Sequence, residues 1–183
     1  MTAAAPPPAP PPPPAPPPPP PPAPPAPPSA PPPPSASPSL AAPADVLPHR
    51  APFLFLDSVV EFDASAHRLR ARRLFRSDEP YFAGHFPPPG EPIVPGVLLV
   101  EAFAQLLAYY ARVVRPGAVV FLTGIDKARF RGIVRPGDEV DLELEIEGET
   151  LGVYRARAQA RVAGRRVCDA VVSGTVVEPP GRP

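Results

Sequence analysis

Apolar and polar residues alternate along most of the second half of the chain. In VDLELEIEG, which begins at Val140, every second residue is apolar and the residues between are acidic. In YRARAQARV, which begins at Tyr154, three arginines stand between the apolar positions. A period of two is typical of strands with one buried face. The two segments are therefore predicted to form a hairpin whose exposed faces bring opposite charges together.

The same alternation predicts four further strands, over residues 53–62, 67–75, 119–134 and 166–177. One helix is predicted over residues 97–114, and the Arg-Pro-Gly sequence that follows supplies its stop. Its segment LLVEAFAQLLAYYA is apolar on nearly all sides, so it is expected to be covered on most of its surface. These elements predict an α+β domain with a hot-dog fold, in which an antiparallel sheet wraps around one long central helix.

The first 44 residues have a different composition. Of the 38 prolines in the chain, 25 fall in the first 43 positions, and no charged residue precedes Asp45. Such a segment cannot bury enough apolar surface to fold, so residues 1–44 are predicted to be a disordered or polyproline tail and residues 45–183 one domain. The tail lacks the pattern of an export signal, and the most apolar later run contains Glu101, so a cytoplasmic protein without a membrane span is expected.

Composition also limits the partners. Eighteen basic and 18 acidic residues give no net charge, which argues against a nucleic-acid partner. The single cysteine, Cys168, lies in a strand pattern and is expected to be a packed thiol. The histidines and carboxylates do not show paired metal-ligand spacing, and there is no glycine-rich nucleotide motif, so no metal is predicted.

Glu101 is the one charged residue of the central helix before Arg112. A buried carboxylate without a partner is costly, so this side chain should be either uncharged or held by a specific partner, and both conditions suit a general acid. Gln105, four residues later, can orient it. The alternative is that Glu101 lies near the helix start and reaches water.

His85 is the candidate base, in the segment GHFPPPGEPIVPG. The prolines around it restrict the backbone, so the loop that delivers the imidazole has few conformations to lose. A packing role for a loop histidine is the alternative. At the helix start, the free amides of Gly96 and Val97 can stabilise a thioester carbonyl that becomes enolate-like.

Four motifs in order resemble those of the FabZ-type (3R)-hydroxyacyl-acyl-carrier-protein dehydratases. They are LPHRAPFLFLD at 47–57, GHFP at 84–87, PGVLLVEAFAQ at 95–105 and GIDKARFRGIVRPGD at 124–138. The resemblance covers about residues 46–178. It implies a hot-dog homodimer with active sites shared between subunits, often assembled as a trimer of dimers, and a substrate carried on the phosphopantetheine of acyl carrier protein with no further cofactor.

In this family the histidine of GHFP removes a proton from C2 of the acyl chain, which maps to His85. The helix glutamate of the other subunit assists loss of the C3 hydroxyl, which maps to Glu101, and the amide of Gly96 is expected to hold the thioester carbonyl. FabA-type relatives, which also isomerise the double bond, have aspartate in place of Glu101, so dehydration without isomerisation is favoured. The segment between GHFP and PGV is two residues longer than the usual family loop, which predicts an outward bulge at residues 88–91.

Two interpretations remain open for the basic residues of the fourth motif and for the function as a whole. Lys127, Arg129, Arg131 and Arg135 form either a solvated strand face or a docking surface for acyl carrier protein. His49 and Arg50 are assigned to a structural or mouth-lining role. The alternatives to a dehydratase are a hot-dog acyl-thioesterase and a non-catalytic partner subunit whose tail binds proline-reading domains.

Overall fold

The computed structural model describes residues 40–87 and 89–177. The residues of the predicted tail up to 39, and Pro88 of the predicted bulge, lie outside this range. The elements are, in chain order, α1 (Pro43–Val46), β1 (Ser58–Asp63), β2 (Arg68–Leu74), a 3₁₀ helix (Pro80–Ala83), α2 (Gly96–Val114), β3 (Val119–Phe130), β4 (Glu139–Thr150), β5 (Val153–Val162) and β6 (Arg165–Val177).

The six strands form one antiparallel sheet in the order β1-β2-β4-β5-β6-β3. The inward positions of β4 and β5 alternate with exposed ones, as the period of two requires. Helix α2 packs against β2 to β6. The arrangement confirms the predicted hot-dog fold, and it leaves β1 and β3 as the two edge strands.

Helix α2 is the centre of the hydrophobic core. Eleven of its 19 residues are buried, among them Phe103, Leu106 and Tyr109. By length and composition alone it could cross a bilayer, but most of its surface is covered by the protein's own fold. The prediction of a helix covered on most sides is therefore confirmed, and the sheet is what covers it.

The predicted hairpin of opposite charges is β4 and β5. Asp141 stands opposite Arg161 and Glu145 opposite Arg157 in the ladder. The acidic face of β4 also contacts arginines of β2, because Arg72 lies 3.3 Å from Asp141. These pairs are largely exposed, so each contributes at most about 1 kcal/mol to stability.

Two strand predictions were too long. The segment predicted as a strand over residues 53–62 enters the sheet at Ser58, because Phe53 and Phe55 bond to the side chain of Gln105 instead of to a strand. The strand predicted over residues 119–134 ends at Phe130. After it, the amides of Arg131 and Gly132 both donate to the carbonyl of Val167, so the chain leaves the regular ladder.

The packed part of the chain begins before Asp45, where the sequence placed the domain start. Pro43 is buried at the start of α1. The hydroxyl of Tyr109 donates a 2.7 Å hydrogen bond to the carbonyl of Ala41. The middle of α2 therefore holds the segment immediately after residue 40.

Candidate active site

His85 follows the 3₁₀ helix, and its ring is held in one orientation. Its amide donates to the carbonyl of Tyr81 at 2.9 Å, and its Nδ1 lies 2.8 Å from the carbonyl oxygen of Ile93. A carbonyl oxygen only accepts, so the neutral ring carries its hydrogen on Nδ1. The lone pair is then on Nε2, which makes Nε2 the atom that can act as a base.

The loop after His85 is fastened at several points. The amide of Gly90 donates to the carbonyl of Pro87 at 2.9 Å, which closes a tight turn. Glu91 lies 3.2 Å from Arg135, and the amide of Val94 donates to the carbonyl of Val134 at 2.8 Å. The last two bonds tie the end of this loop to the segment that follows β3.

A buried arginine holds the 3₁₀ helix that precedes His85. Arg73 is 5% exposed, and it pairs with Asp57 at 2.9 Å and with Glu79. Glu79 is the residue directly before the 3₁₀ helix. Burial raises the pKa of Tyr81, and the nearby Glu79 carboxylate adds to this, so the Tyr81 hydroxyl stays neutral.

Sequence reasoning missed Arg73, although a signal was present. Along β2 the buried positions are Leu69, Ala71 and Arg73, and Phe75 continues the series after the strand. An arginine in the phase of the inward-facing residues is unusual and needs partners. The alternation therefore singles out Arg73 from the other arginines of β2.

Glu101 lies in the second turn of α2, and Gln105 holds it. The Nε2 atom of Gln105 donates to Glu101 Oε1 at 2.9 Å and to the carbonyl of Phe53 at 2.9 Å. The Oε1 atom of Gln105 accepts from the amide of Phe55 at 2.8 Å. With every hydrogen-bonding atom of its amide engaged, the buried Gln105 side chain is fixed, and it fixes one oxygen of Glu101.

The carboxylate of Glu101 faces a cavity of about 280 Å³. Apolar side chains and His49 line the rest of it: Phe53, Ala104, Leu107, Ala108, Val120, Phe121 and Leu122. His49 Nε2 lies 3.8 Å from Glu101 Oε1. The structure thus places His49 beside the candidate acid, a proximity that the motif LPHR alone does not reveal.

The start of α2 presents its first amides. Pro95 precedes the helix, and the amide of Leu98 already bonds to the carbonyl of Pro95. The amides of Gly96 and Val97 have no acceptor inside the helix, as at any helix start. A Cβ at Gly96 would lie 2.8 Å from the ring of Phe130, so glycine lets the end of β3 cover the helix start closely.

Within one chain the structure does not bring the two candidate catalytic groups into contact. The recorded polar contacts of Glu101 are Gln105 and His49, and those of the His85 ring are the Ile93 carbonyl and the edge of Phe86. No hydrogen bond or ion pair joins His85 to Glu101 in the described part of the chain. The two groups therefore do not form a hydrogen-bonded pair within one chain.

The four basic residues of the fourth motif divide into two pairs. Arg131 is paired with Asp169, and this contact lowers the pKa of the Asp169 carboxyl. Arg135 is paired with Glu91. Lys127 and Arg129 have no recorded ion pair among residues 40–87 and 89–177, and Lys127 lies in a bulge of β3 with φ of 52°.

Cys168 is a buried free thiol, which confirms the predicted packed role. Burial raises the pKa of this thiol to about 12, so it stays protonated at neutral pH. In the described ranges, no group of three or more histidine, cysteine, aspartate or glutamate side chains is arranged to hold a metal ion.

Known proteins resemble this chain in sequence. The family model of the FabA-like domain matches residues 47–171. A 3-hydroxyacyl-[acyl-carrier-protein] dehydratase FabZ of Chloroflexus aggregans is 42% identical over 136 residues, which are 73% of this chain and 92% of that protein. The protein of the same name from Yersinia enterocolitica is 44% identical over 132 residues, which are 70% of this chain and 77% of that protein.

Solved structures share the fold at much lower identity. The dehydratase heterocomplex ApeI:P from Xenorhabdus doucetiae contains a chain that matches with a TM-score of 0.63 and 16% identity, covering 77% of this chain and 93% of that one. A hypothetical thioesterase protein with coenzyme A from Streptococcus pneumoniae matches with a TM-score of 0.51 and 11% identity, over 68% of this chain and 88% of that one. Both dehydratases and thioesterases thus use this architecture, and the fold alone does not choose between them.

Proposed function

The chain belongs to the FabA-like family, and on that premise we propose that it converts (3R)-3-hydroxyacyl thioesters of acyl carrier protein to trans-2-enoyl thioesters in fatty-acid biosynthesis. It is a 3-hydroxyacyl-[acyl-carrier-protein] dehydratase, a hydro-lyase. The observation that carries this conclusion is the identity of 42 to 44% with dehydratases of that name over most of the folded chain.

The residues of the site suit the two proton transfers of this reaction. Nε2 of His85 takes the proton from C2, and the electron pair of that bond forms the new double bond as the C3–oxygen bond breaks. Glu101 gives its proton to the departing hydroxyl, which leaves as water. The amides of Gly96 and Val97 stabilise the charge that develops on the thioester carbonyl. With glutamate rather than aspartate at position 101, the product is expected to keep its double bond at C2.

An exposed edge strand supports a shared site. The apolar side chains of Phe121, Leu122, Ile125 and Phe130 on β3 are between 41% and 59% exposed. An unpaired edge with this surface is a site for pairing with another strand. Phe121 and Leu122 also line the cavity of Glu101, so a second chain on β3 would close that cavity and could supply its own His85. We therefore propose a homodimer as the smallest active form, with a trimer of dimers as its higher assembly.

The proposed docking surface for acyl carrier protein is centred on Lys127 and Arg129. These two side chains are exposed, and within residues 40–87 and 89–177 neither forms an ion pair of the kind made by Arg131 and Arg135. Free cations attract an acidic partner more effectively than paired ones, because no internal ion pair has to be broken. Arg131 and Arg135 remain secondary members of this surface.

The proposed reaction moves protons and releases water, and it involves no net oxidation or reduction. His85 and Glu101 supply both proton steps, so the proposal requires no cofactor beyond the phosphopantetheine that carries the substrate. The proposal also places the enzyme in the cytoplasm, and the burial of α2 within its own fold is compatible with that location.

The experiment replaces each candidate catalytic group. His85→Ala and Glu101→Gln should each lower dehydration of (3R)-3-hydroxybutyryl carrier protein by at least about 100-fold, because each removes one proton transfer. Activity is measured as the rise in enoyl absorbance, and circular dichroism checks the fold. His67→Gln is the matched control, since His67 bonds to Tyr110 away from Glu101.

Full activity in the His85 or the Glu101 variant would contradict the assigned roles. Release of free thiol from the wild-type reaction, without a rise in enoyl absorbance, would instead indicate thioester hydrolysis.

A further inference from the structure

The acid side of the site contains a second titratable group. His49 Nε2 lies 3.8 Å from Glu101 Oε1, and the two side chains are 27% and 23% exposed. Every other side chain that lines their common cavity is apolar. Of the residues that line this cavity, His49 is therefore the one side chain besides Glu101 that can accept and release a proton.

Dehydration leaves the two catalytic groups in the wrong protonation states for another turnover. His85 has gained the proton from C2, and the proton of Glu101 has left with the C3 oxygen as water. One proton must leave His85, and one must return to Glu101. Gln105 cannot provide it, because an amide holds its hydrogens at neutral pH.

We propose that His49 returns this proton: it takes a proton from solvent at Nε2 and passes it to Glu101 Oε1. The inference rests on the proposed dehydration and assigns His49 a role that acts through Glu101, without contact with the reacting carbons. A separation of 3.8 Å exceeds a hydrogen bond, so the transfer passes through one bridging water or a small rotation of the ring.

The environment of His49 favours transfer through Nε2. Its Nδ1 atom is buried and has no hydrogen-bond partner among the described residues. Nε2, which lies 3.8 Å from Glu101 Oε1, is therefore the ring nitrogen of His49 through which a proton can be exchanged. The guanidinium of the adjacent Arg50 donates to the carbonyls of Leu47 and His49, so these bonds hold it away from competition with His49 for the Glu101 carboxylate.

A comparison of the first turnover with later turnovers distinguishes this role of His49 from a structural one. His49→Gln starts with Glu101 already equilibrated with solvent, so its first turnover should run at the wild-type rate. Later turnovers should be slower by roughly 10-fold or more, because the proton returns without help. Rapid mixing with excess substrate should then show a burst of one enoyl product per site, followed by a slow phase, whereas the wild type shows no burst.

Added imidazole should accelerate the slow phase of His49→Gln, because a small base can replace the missing ring. It should not restore Glu101→Gln, which has no carboxylate to protonate. His67→Gln is the matched histidine control and should show neither a burst nor a response to imidazole. Should His49→Gln fail to fold, His49→Asn is measured in the same way.

The outcomes separate this inference from the proposed function. If the wild type forms no enoyl product, the proposed dehydration is wrong. If the wild type is active but the His49 variants keep full steady-state activity, or lose first and later turnovers equally, the role of His49 is overturned while the dehydration stands.

Discussion

At the scale of single residues, the site depends on one amide side chain. Gln105 joins Glu101 on its own helix to the backbone of Phe53 and Phe55 in the preceding loop. It is 1% exposed. The bond to the Phe55 amide is buried and the bond to Glu101 orients the acid, so Gln105 affects both the fold and the acid.

Gln105→Leu should therefore lower stability and activity together. It leaves the buried Phe55 amide without a partner, at about 1–3 kcal/mol, and it removes the bond to the carbonyl of Phe53. It also frees the Glu101 oxygen that Gln105 held, so kcat should fall. Urea unfolding measures the first effect and steady-state kinetics the second. The control is Glu101→Gln, which keeps the two backbone bonds and should leave the unfolding midpoint nearly unchanged; an equal loss of stability in both variants would contradict this account.

Residue spacing predicted some of these contacts but not others. The i, i+4 spacing indicated that Gln105 could reach Glu101, and the structure places them 2.9 Å apart. The proximity of His49 to Glu101 could not be predicted, because 52 positions separate them and only the folded loop brings them together. No local pattern encodes a contact of that kind.

At the scale of elements, the 3₁₀ helix that carries the chain to His85 is fastened to β2. Arg73→Met should destabilise the protein by about 3–5 kcal/mol, because it leaves the nearly buried Glu79 without its cation and removes the closer of the two arginines from Asp57. It should also lower kcat, since the peptide before His85 is no longer held. Thermal unfolding and steady-state kinetics measure the two effects.

The matched variant is Arg76→Met. Arg76 also approaches Asp57, at 3.6 Å, but its side chain is 52% exposed. Its removal should cost at most about 1 kcal/mol. Similar losses in the two variants would mean that the burial of Arg73 is not what makes it important.

Close packing between β6, β3 and α2 gives a second prediction at this scale. A Cβ at Gly174 would lie 2.8 Å from Val120 and 3.1 Å from Leu107, two residues that line the cavity of Glu101. Gly174→Ala should cost about 1–3 kcal/mol from overpacking. In the same ladder, a Cβ at Gly124 meets nothing closer than 3.6 Å, so Gly124→Ala should be tolerated. Urea unfolding compares the pair, and equal midpoints would refute the packing argument.

The sequence predicted element boundaries correctly where all local signals favoured the same structure. The β4–β5 hairpin was predictable because its alternation, its turn and its cross-strand charges all favour the same pairing. The segment FLFL at 53–56 also has strand-like composition, yet it is a loop, because Gln105 competes for its backbone groups. Tertiary hydrogen bonds of this kind override local propensity.

At the scale of the whole molecule, the shared site can be tested by mixing inactive chains. If each site takes His85 from one subunit and Glu101 from the other, a hybrid of His85→Ala with Glu101→Gln contains one complete site. Random pairing of equal amounts makes half of the dimers hybrid, so activity should recover to about a quarter of wild type. Co-expression with two affinity tags isolates the hybrid. Absence of any recovery in the purified hybrid would show that each chain builds its own site.

The proposed assembly follows from the sequence only through resemblance. The apolar residues of β3 satisfy the pattern of a buried strand, and a single chain offers no reason why they should be exposed. The structure supplies that reason by placing β3 at the sheet edge. Likewise, the sequence alone does not distinguish Lys127 and Arg129 from Arg131 and Arg135. The ion pairs that separate them are visible only in the folded structure.

The hydrogen bond from Tyr109 to the carbonyl of Ala41 bears on how this protein can be handled. A shortened chain that starts at Asp45 would remove the acceptor and would leave a buried hydroxyl in the middle of the core helix unsatisfied. An affinity tag cleaved too close to the fold would do the same. A protease site or fusion joint placed before Leu40 keeps this bond, and the catalytic domain should then tolerate exchange of everything upstream.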